Sequence, residues 1–185
     1  MIDAAQLAAA TGATLQRATN WLAPLSITMA VFAIDTPARM AAFLAQVGHE
    51  SGRLVYAREI WGPLPAQLRY EGRKDLGNLR PGDGRKYLGR GLIQITGRAN
   101  AIAVRDGLRQ YLPSVPDFEA SPELLEVEQW AAYSAGWFWA AHGLNGLADS
   151  DSFMQITRKI NGGTNGYEDR LALWESGKGA LGVVA

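Results

Sequence analysis

The sequence predicts a mainly α-helical domain of two lobes around a central cleft, with one short extended segment. Three observations predict it. Most of the 185 residues fall into runs whose apolar positions recur at helical spacing, bounded by capping residues, prolines and glycines. Residues 52–91 break this pattern with Gly, Pro, Arg and Asp, and an aperiodic stretch of that length inside a compact domain is either functional or disordered. Trp61, Tyr70 and Tyr87 within it argue against disorder. One domain is therefore expected over 1–185, with a helical lobe from 1–51 plus 97–185 and a small irregular lobe over about 52–96.

Taken in order, "DAAQLAAAT" and "ATLQRATNWL" read as short amphipathic helices, and "PLSITMAVFAI" as a separate one with Pro24 in its first turn. "TPARMAAFLAQVGHESG" opens on a cap at Thr36 with Pro37 at the first helical position. Ala41, Leu44, Ala45 and Val47–Gly48 give it an apolar stripe, and Gly52 is placed to end it. One helical turn is expected near 64–70 in the irregular lobe. "LIQIT", 92–96, alternates, with Ile93 and Ile95 on one side and Gln94 and Thr96 on the other, as in a half-buried strand. Helices resume at "RANAIAVRDGLRQYL" and in one long run from Ser121 to Gly143. Two more close the chain, over 151–160 and roughly 167–177.

With 48% hydrophobic and 19% charged residues the composition is globular. The absence of cysteine excludes disulfides and thiolate metal sites, and there are two histidines, His49 and His142. His49-Glu50 is followed by Ser51, Gly52 and Arg53, so the second histidine of a zinc-protease helix is missing. Chemistry without metal or cofactor is expected. An early Asp3 and no basic leader argue against a secretory signal, and the charge-free run 20–34 is too short for a membrane span. That run reads as a buried helix, without stable membrane insertion. Net charge is zero, yet residues 53–109 hold twelve Lys and Arg against five Asp and Glu. Such a segment suits a polyanion, nucleic acid or bacterial cell wall, or is a solvated face.

Two carboxylates stand out in "GHESGRLVYAREIWG", 48–62. Glu50 falls in the last turn of its helix, where the unsatisfied carbonyls oppose ionisation. Leu54 and Val55 beyond it would add desolvation, so its environment favours a neutral acid. Glu59, between Arg58 and Ile60 in an extended segment, would be kept ionised by neighbouring arginines. Two carboxyls in opposite environments are what glycoside hydrolysis uses. Taken singly, each reads first as a surface acid, Glu50 salt-bridged to Arg53 or Arg58. In "DGRKYLGRGLIQITGRAN", 83–100, glycines around Arg90 permit close approach of backbone to a ligand, and Gln94 and Thr96 would line one side of a groove. A threonine hydroxyl opposite an acid can hold a water. In "INGGTNGYEDR", 160–170, Asn161 precedes two glycines at a helix end, a turn that exposes a polar side chain or simply joins two helices.

"GHESG", "YLGRGLIQITGRAN" and "INGG", in that order, resemble the family 19 glycoside hydrolases, chitinases and related phage or prophage endolysins, over about residues 36–172. The stretch "RYEGRKDLGNLRPGDGRKYLGRGLIQITGRAN" is similar to the compact bacterial and phage branch. The resemblance implies a lysozyme-like two-lobed helical fold and an inverting mechanism, with Glu50 as general acid, Glu59 as general base and Thr96 orienting the attacking water. It places His49, Tyr87, Gln94, Asn100, Asn161 and Arg170 at or near positions that contact sugar or brace the acids. Ala101 departs from the aromatic residue usual after "GRAN", and the cysteines and extra loops of the plant enzymes are missing.

Chitin and peptidoglycan both offer β-1,4-linked N-acetylhexosamines. The basic segment, the small size and the missing chitin-binding module favour anionic peptidoglycan over neutral chitin. The expectation is a monomeric endolysin that binds polysaccharide and no nucleic acid. It would stay in the bacterial cytoplasm until a membrane pore releases it to the wall. Competing expectations are a chitinase, a lytic transglycosylase that does not need Glu59, a non-catalytic wall- or nucleic-acid-binding module, and a serine hydrolase at Ser51 or Ser134, which lack the pattern around a nucleophile elbow.

Overall fold

The computed structural model describes residues 2–183. Among them are ten helices: α1 Ala4–Thr11, α2 Leu15–Val31, α3 Pro37–Glu50, α4 Pro65–Leu68, α5 Asp83–Lys86, α6 Arg98–Leu108, α7 Glu128–Ala141, α8 Leu144–Asp149, α9 Phe153–Asn161 and α10 Tyr167–Leu181. Short 3₁₀ turns occupy Lys74–Leu76 and Pro122–Glu126. The architecture is mainly helical, as the sequence predicts.

Capping explains most of the early boundaries. Asp3 opens α1 with a reciprocal box, its carboxylate accepting from Gln6 N at 2.8 Å while Gln6 Oε1 accepts from Asp3 N at 3.0 Å. Thr14 caps α2, and Thr36 caps α3 with Pro37 just inside. The break expected at Pro24 is absent: α2 runs through it as one helix. Proline removes one intrahelical bond, but Trp21, Leu25, Thr28 and Met29 lie on a common buried face packed against α1 and α7, and that packing outweighs the loss. Ile27 is half exposed on the other side, so α2 is amphipathic rather than wholly buried.

α3 is the central helix. Every residue from Ala41 to Gly48 is buried, more than the expected single stripe, because α10, α1 and α8 all pack around it. The one apolar core draws on both helical runs, before and after the irregular segment. The chain leaves α3 through three consecutive left-handed residues, Gly52, Arg53 and Leu54, with φ of 58°, 67° and 61°. Each non-glycine residue there costs about 1–2 kcal/mol. Buried Ser51 holds the turn: its Oγ accepts from Leu54 N at 2.9 Å and its carbonyl from Tyr56 N at 2.9 Å. Arg17 Nη1 donates to the Arg53 carbonyl at 2.5 Å.

The irregular segment is held together by polar groups. Between Leu54 and Tyr87 no hydrophobic side chain is buried, whereas Gln67, Asn78 and Asp83 are. Asn78 donates to the Tyr70 carbonyl at 2.9 Å and accepts from Arg98 N at 3.0 Å. Asp83 accepts from Arg98 Nη2 at 2.5 Å and from Arg80 N at 3.0 Å. Glu71 accepts from Gly82 N and Gly84 N at 2.7 and 2.8 Å. Buried polar groups persist only when their hydrogen bonds are made, and here each one ties down a loop.

Two expected elements differ. Residues 92–96 are a tight turn, not a strand: Gln94 has φ +49°, and only isolated bridges pair Arg90 with Arg58 and with Ile95. Leu92, Ile93 and Ile95 are all buried, so the alternation reflected turn geometry and not a half-buried sheet. The helix expected from Ser121 to Gly143 is interrupted at Val127, whose backbone is extended. The interruption lets Glu126 reach Arg90 Nε at 2.7 Å. α8 was not foreseen.

Candidate active site

The end of α3 meets the start of α10 through two adjacent dipeptides. Glu50 Oε1 accepts from Arg170 Nη2 at 2.5 Å, and His49 Nδ1 lies 2.6 Å from Asp169 Oδ2. Arg170 is 1% exposed and also donates to Gln46 Oε1 at 2.5 Å, while Gln46 donates to Thr157 at 2.9 Å. Glu50 therefore sits at the open end of a buried polar chain reaching back to α9. Arg53 forks onto Asp169 at 3.1 and 2.5 Å. Its guanidinium, with His49 adding to it against the effect of burial, holds the Asp169 carboxyl down to about 2. The His49 ring lies on Gly166, where a Cβ would come within 2.3 Å of Cε1, so the left-handed turn into α10 has room for hydrogen only.

The surroundings of Glu50 differ from the apolar pocket expected. Its partner is a guanidinium, and neither Arg53 nor Arg58 pairs with it. Leu54 is buried in the core and Val55 is half exposed.

Glu59 is placed by the irregular segment. Its N–H donates to the Gly89 carbonyl at 2.8 Å, and its Oε2 accepts from Gly89 N at 3.1 Å. Oε1 accepts from Gln67 Nε2 at 3.0 Å and from the Tyr70 hydroxyl at 3.2 Å. Gln67 is fixed in turn: its Oε1 accepts from Gly62 N and Leu64 N, and its amide donates to the Ile60 carbonyl. The donors around Glu59 are thus neutral, not the arginines expected, and Arg58 leans instead toward Glu126 at 3.8 Å. Burial, followed by the nearby Glu59 charge, raises the Tyr70 phenol above its ordinary value, so it remains a donor.

Gln94 and Thr96 converge on the same place. A Cβ added at Gly89 would lie 2.5 Å from Gln94 Oε1, 3.1 Å from Thr96 Oγ1 and 3.4 Å from Glu59 Oε2. Glycine at 89 is what lets an amide, a hydroxyl and a carboxylate share one small space. Asn100 Nδ2 braces this side by donating to the Thr96 carbonyl at 2.7 Å. Two open grooves adjoin it. One, of about 470 Å³, is lined by Val55, Tyr56, Arg58, Glu59, Trp61 and Arg85 among others. The second, of about 250 Å³, includes Gln94, Thr96, Asn100, Trp137, His142 and Ile160.

The remaining expected residues fall elsewhere. Tyr87 is 1% exposed, beneath the Arg98 guanidinium, with its hydroxyl donating to the Glu119 carbonyl at 2.7 Å. In that position it packs and does not contact sugar. Arg170 is equally buried and braces Glu50, one of the two roles the resemblance implies for these positions. Asn161, the last residue of α9, is exposed beside Ile160. Ser51 and Ser134 are fully buried, and their hydroxyls donate to backbone carbonyls, with no histidine in contact. Sequence reasoning missed Gln67, Tyr70, Asp169, Tyr56 and Trp61. The two aromatics flanking Glu59 were a usable signal, but nothing in spacing joins Asp169 to His49.

The basic segment is largely neutralised. Arg53, Arg73, Arg90, Arg98, Arg105 and Arg109 each face a carboxylate, while Arg58 comes only to 3.8 Å from Glu126, whose nearer partner is Arg90. Arg69, Lys74, Arg80, Arg85 and Lys86 are exposed and have no carboxylate partner among the described residues. All five lie on the irregular segment.

No family model matches the chain. It is 34% identical over 166 residues to a glycosyl hydrolase family 19 domain-containing protein of Haemophilus influenzae, covering 75% of this chain and 78% of that one. An endochitinase of Arabidopsis thaliana is 38% identical over 125 residues; the match covers 67% of this chain but only 39% of the plant protein. Among solved structures, chitinase C from Streptomyces griseus superposes with a TM-score of 0.70 at 25% identity, over 98% of this chain and 76% of that one. A bacterial family 19 chitinase gives 0.74 at 23% identity, over 99% and 96%. The Haemophilus relative aligns across most of both sequences, and the helical body that carries Glu50 has the shape of those chitinases. The chain belongs to glycosyl hydrolase family 19 and is a glycoside hydrolase.

Proposed function

We propose that the protein cleaves β-1,4 bonds between N-acetylhexosamines by an inverting mechanism with two glutamates, and that its substrate is bacterial peptidoglycan, as for a wall-lysing endolysin. The observation that carries the reading is the convergence of Glu59 Oε2 and Thr96 Oγ1 over Gly89, beside open grooves on either side. A carboxylate fixed by neutral donors next to a hydroxyl suits a general base with an oriented water. Glu50 protonates the glycosidic oxygen as the bond to the anomeric carbon breaks. Water held by Thr96 attacks that carbon from the opposite face and gives its proton to Glu59, and the sugar inverts. Arg170, 2.5 Å from Glu50, orients the acid and balances the charge left when the proton has gone.

Peptidoglycan is favoured over chitin by the five unpaired cations on the irregular segment, since a neutral polymer offers them nothing. The related endochitinases and chitinase C keep chitin as the second reading. The test is to digest peptidoglycan and soluble N-acetylglucosamine oligomers separately, identify the products by mass, and repeat with Glu50→Gln. Reducing-end fragments from peptidoglycan, lost in the variant, support the reading. Cleavage of the oligomers alone moves the assignment to chitin, and anhydro-sugar products replace hydrolysis with transglycosylation.

A further inference from the structure

The groove beside Glu59 is more cationic than cleavage of a neutral sugar requires. Arg58 and Arg85 both line it, with Tyr56 and Trp61, around a single carboxylate, Glu59. Arg85 is exposed in the last turn of α5 and has no carboxylate partner among the described residues. Arg58 is 59% exposed and has Glu126 3.8 Å away, but that carboxylate is committed to Arg90 at 2.7 Å. Two guanidiniums therefore flank the proposed base without closing on it: its own contacts are to Gln67, Tyr70 and Gly89. Tyr56 and Trp61 supply flat apolar surface of the kind on which a sugar face rests.

We propose that this groove is a carboxylate-selecting subsite, in which Arg58 and Arg85 are specificity residues for a glycan unit carrying an acidic substituent. The inference rests on the peptidoglycan reading and names the group recognised: a carboxylate borne on the lactyl ether of the sugar or on the peptide attached to it. The planar guanidinium fork matches a carboxylate in two bonds, and two such forks on one open groove add their modest, solvent-screened contributions. A sugar laid against Tyr56 and Trp61 would carry its substituent toward Arg85 while its linkage lies at Glu59.

The experiment compares one substrate in two charge states. Peptidoglycan glycan fragments are prepared with free carboxylates and, in parallel, with the carboxylates converted to neutral amides. kcat/KM is measured for the wild type and for Arg58→Gln/Arg85→Gln, with thermal denaturation confirming that the variant folds. The wild type is expected to prefer the free carboxylates by roughly three- to tenfold, the range of two partly exposed ion pairs. In the variant that preference is expected to disappear, with the loss confined to the charged substrate and carried by KM. Equal cleavage of both forms by the wild type, or an equal loss on both in the variant, overturns the subsite and leaves the peptidoglycan reading intact. No cleavage of either form overturns both.

Discussion

Arg170 Nη2 donates to Glu50 Oε1 across 2.5 Å, joining the first turn of α10 to the last turn of α3 over a gap of 120 residues in sequence. The helix end that carries Glu50 repels negative charge, and Arg170 compensates from a fully buried position shared with Gln46. Replacing Arg170 with Met strands both Glu50 and Gln46. Removal of one partner from such a pair is expected to destabilise the fold by about 3 kcal/mol, read by chemical denaturation. Glu50→Gln keeps an acceptor for Arg170 but removes its counter-charge, and should cost less than Arg170→Met, about 1–2 kcal/mol. Its hydrolysis should nevertheless fall by at least about a hundredfold, the smaller end of what a general acid supplies.

Gly89→Ala tests the convergence directly. The new methyl would lie 2.5 Å from Gln94 Oε1 and 3.1 Å from Thr96 Oγ1, so the Gln94 amide must move away from Thr96 and Glu59. A displacement of that size beside the reacting atoms is expected to lower kcat on the order of a hundredfold. Near-native protection of the α3 and α10 amides in hydrogen exchange would show that the damage is local.

Gln67→Leu removes the side chain that, among the described residues, ties Glu59 to the 60–64 loop. Because the irregular segment contains no buried apolar residue between Leu54 and Tyr87, a single polar group counts for more there than in the helical body. Expected are faster exchange of amides 60–70 and a fall in kcat on the order of tenfold, with unchanged global stability to within about 1 kcal/mol.

Acid stability provides a signed test. Asp169 titrates near 2 in the folded protein, below its ordinary 3.8. Its depressed value means the unfolded chain binds the proton first as pH falls, so its stabilisation is present above about 4 and is lost on descending toward 2. Asp169→Asn should flatten the melting temperature between pH 4 and pH 2 relative to the wild type and lower it at pH 6. Melting curves across that range decide it; an identical acid limb in the variant would remove Asp169 from the account.

Much of the helical body was legible because caps and stops are local. Thr36 and Pro37 open α3, and Gly143 and Gly162 mark true ends, each by chemistry written within four residues. Pro24 misled because its cost is local while the packing that overrides it, on α1 and α7, is not. "LIQIT" misled for a related reason: alternation over five residues does not distinguish a strand from a turn that buries Leu92, Ile93 and Ile95 together. Glu50 and Glu59 stand out in the sequence by their contrasting positions, but Arg53 and Arg58 do not hold Glu50, and the donors to Glu59 are Gln67, Tyr70 and Gly89 rather than arginines. Arg170 and Gln67 are long-range and medium-range contacts that no periodicity encodes. The irregular segment stands out in the sequence by composition alone, but its dependence on Gln67, Asn78 and Asp83 is visible only when the hydrogen bonds are traced.

Glu59→Gln separates hydrolysis from transglycosylation. If a base is required, the variant loses turnover by at least about a hundredfold while still binding substrate. An intramolecular transglycosylation that uses Glu50 alone would survive the change.

In the proposed mechanism Glu50 and Glu59 act on opposite faces of the sugar with a water between them, which requires the anomeric centre to invert. Proton NMR of the first products formed from a soluble β-1,4-linked substrate, recorded before mutarotation, reads this directly. The α-anomer is expected at the new reducing end. A β-anomer would mean retention and a covalent or substrate-assisted intermediate, and would contradict the assignment of Glu59 as base and Thr96 as the holder of the attacking water.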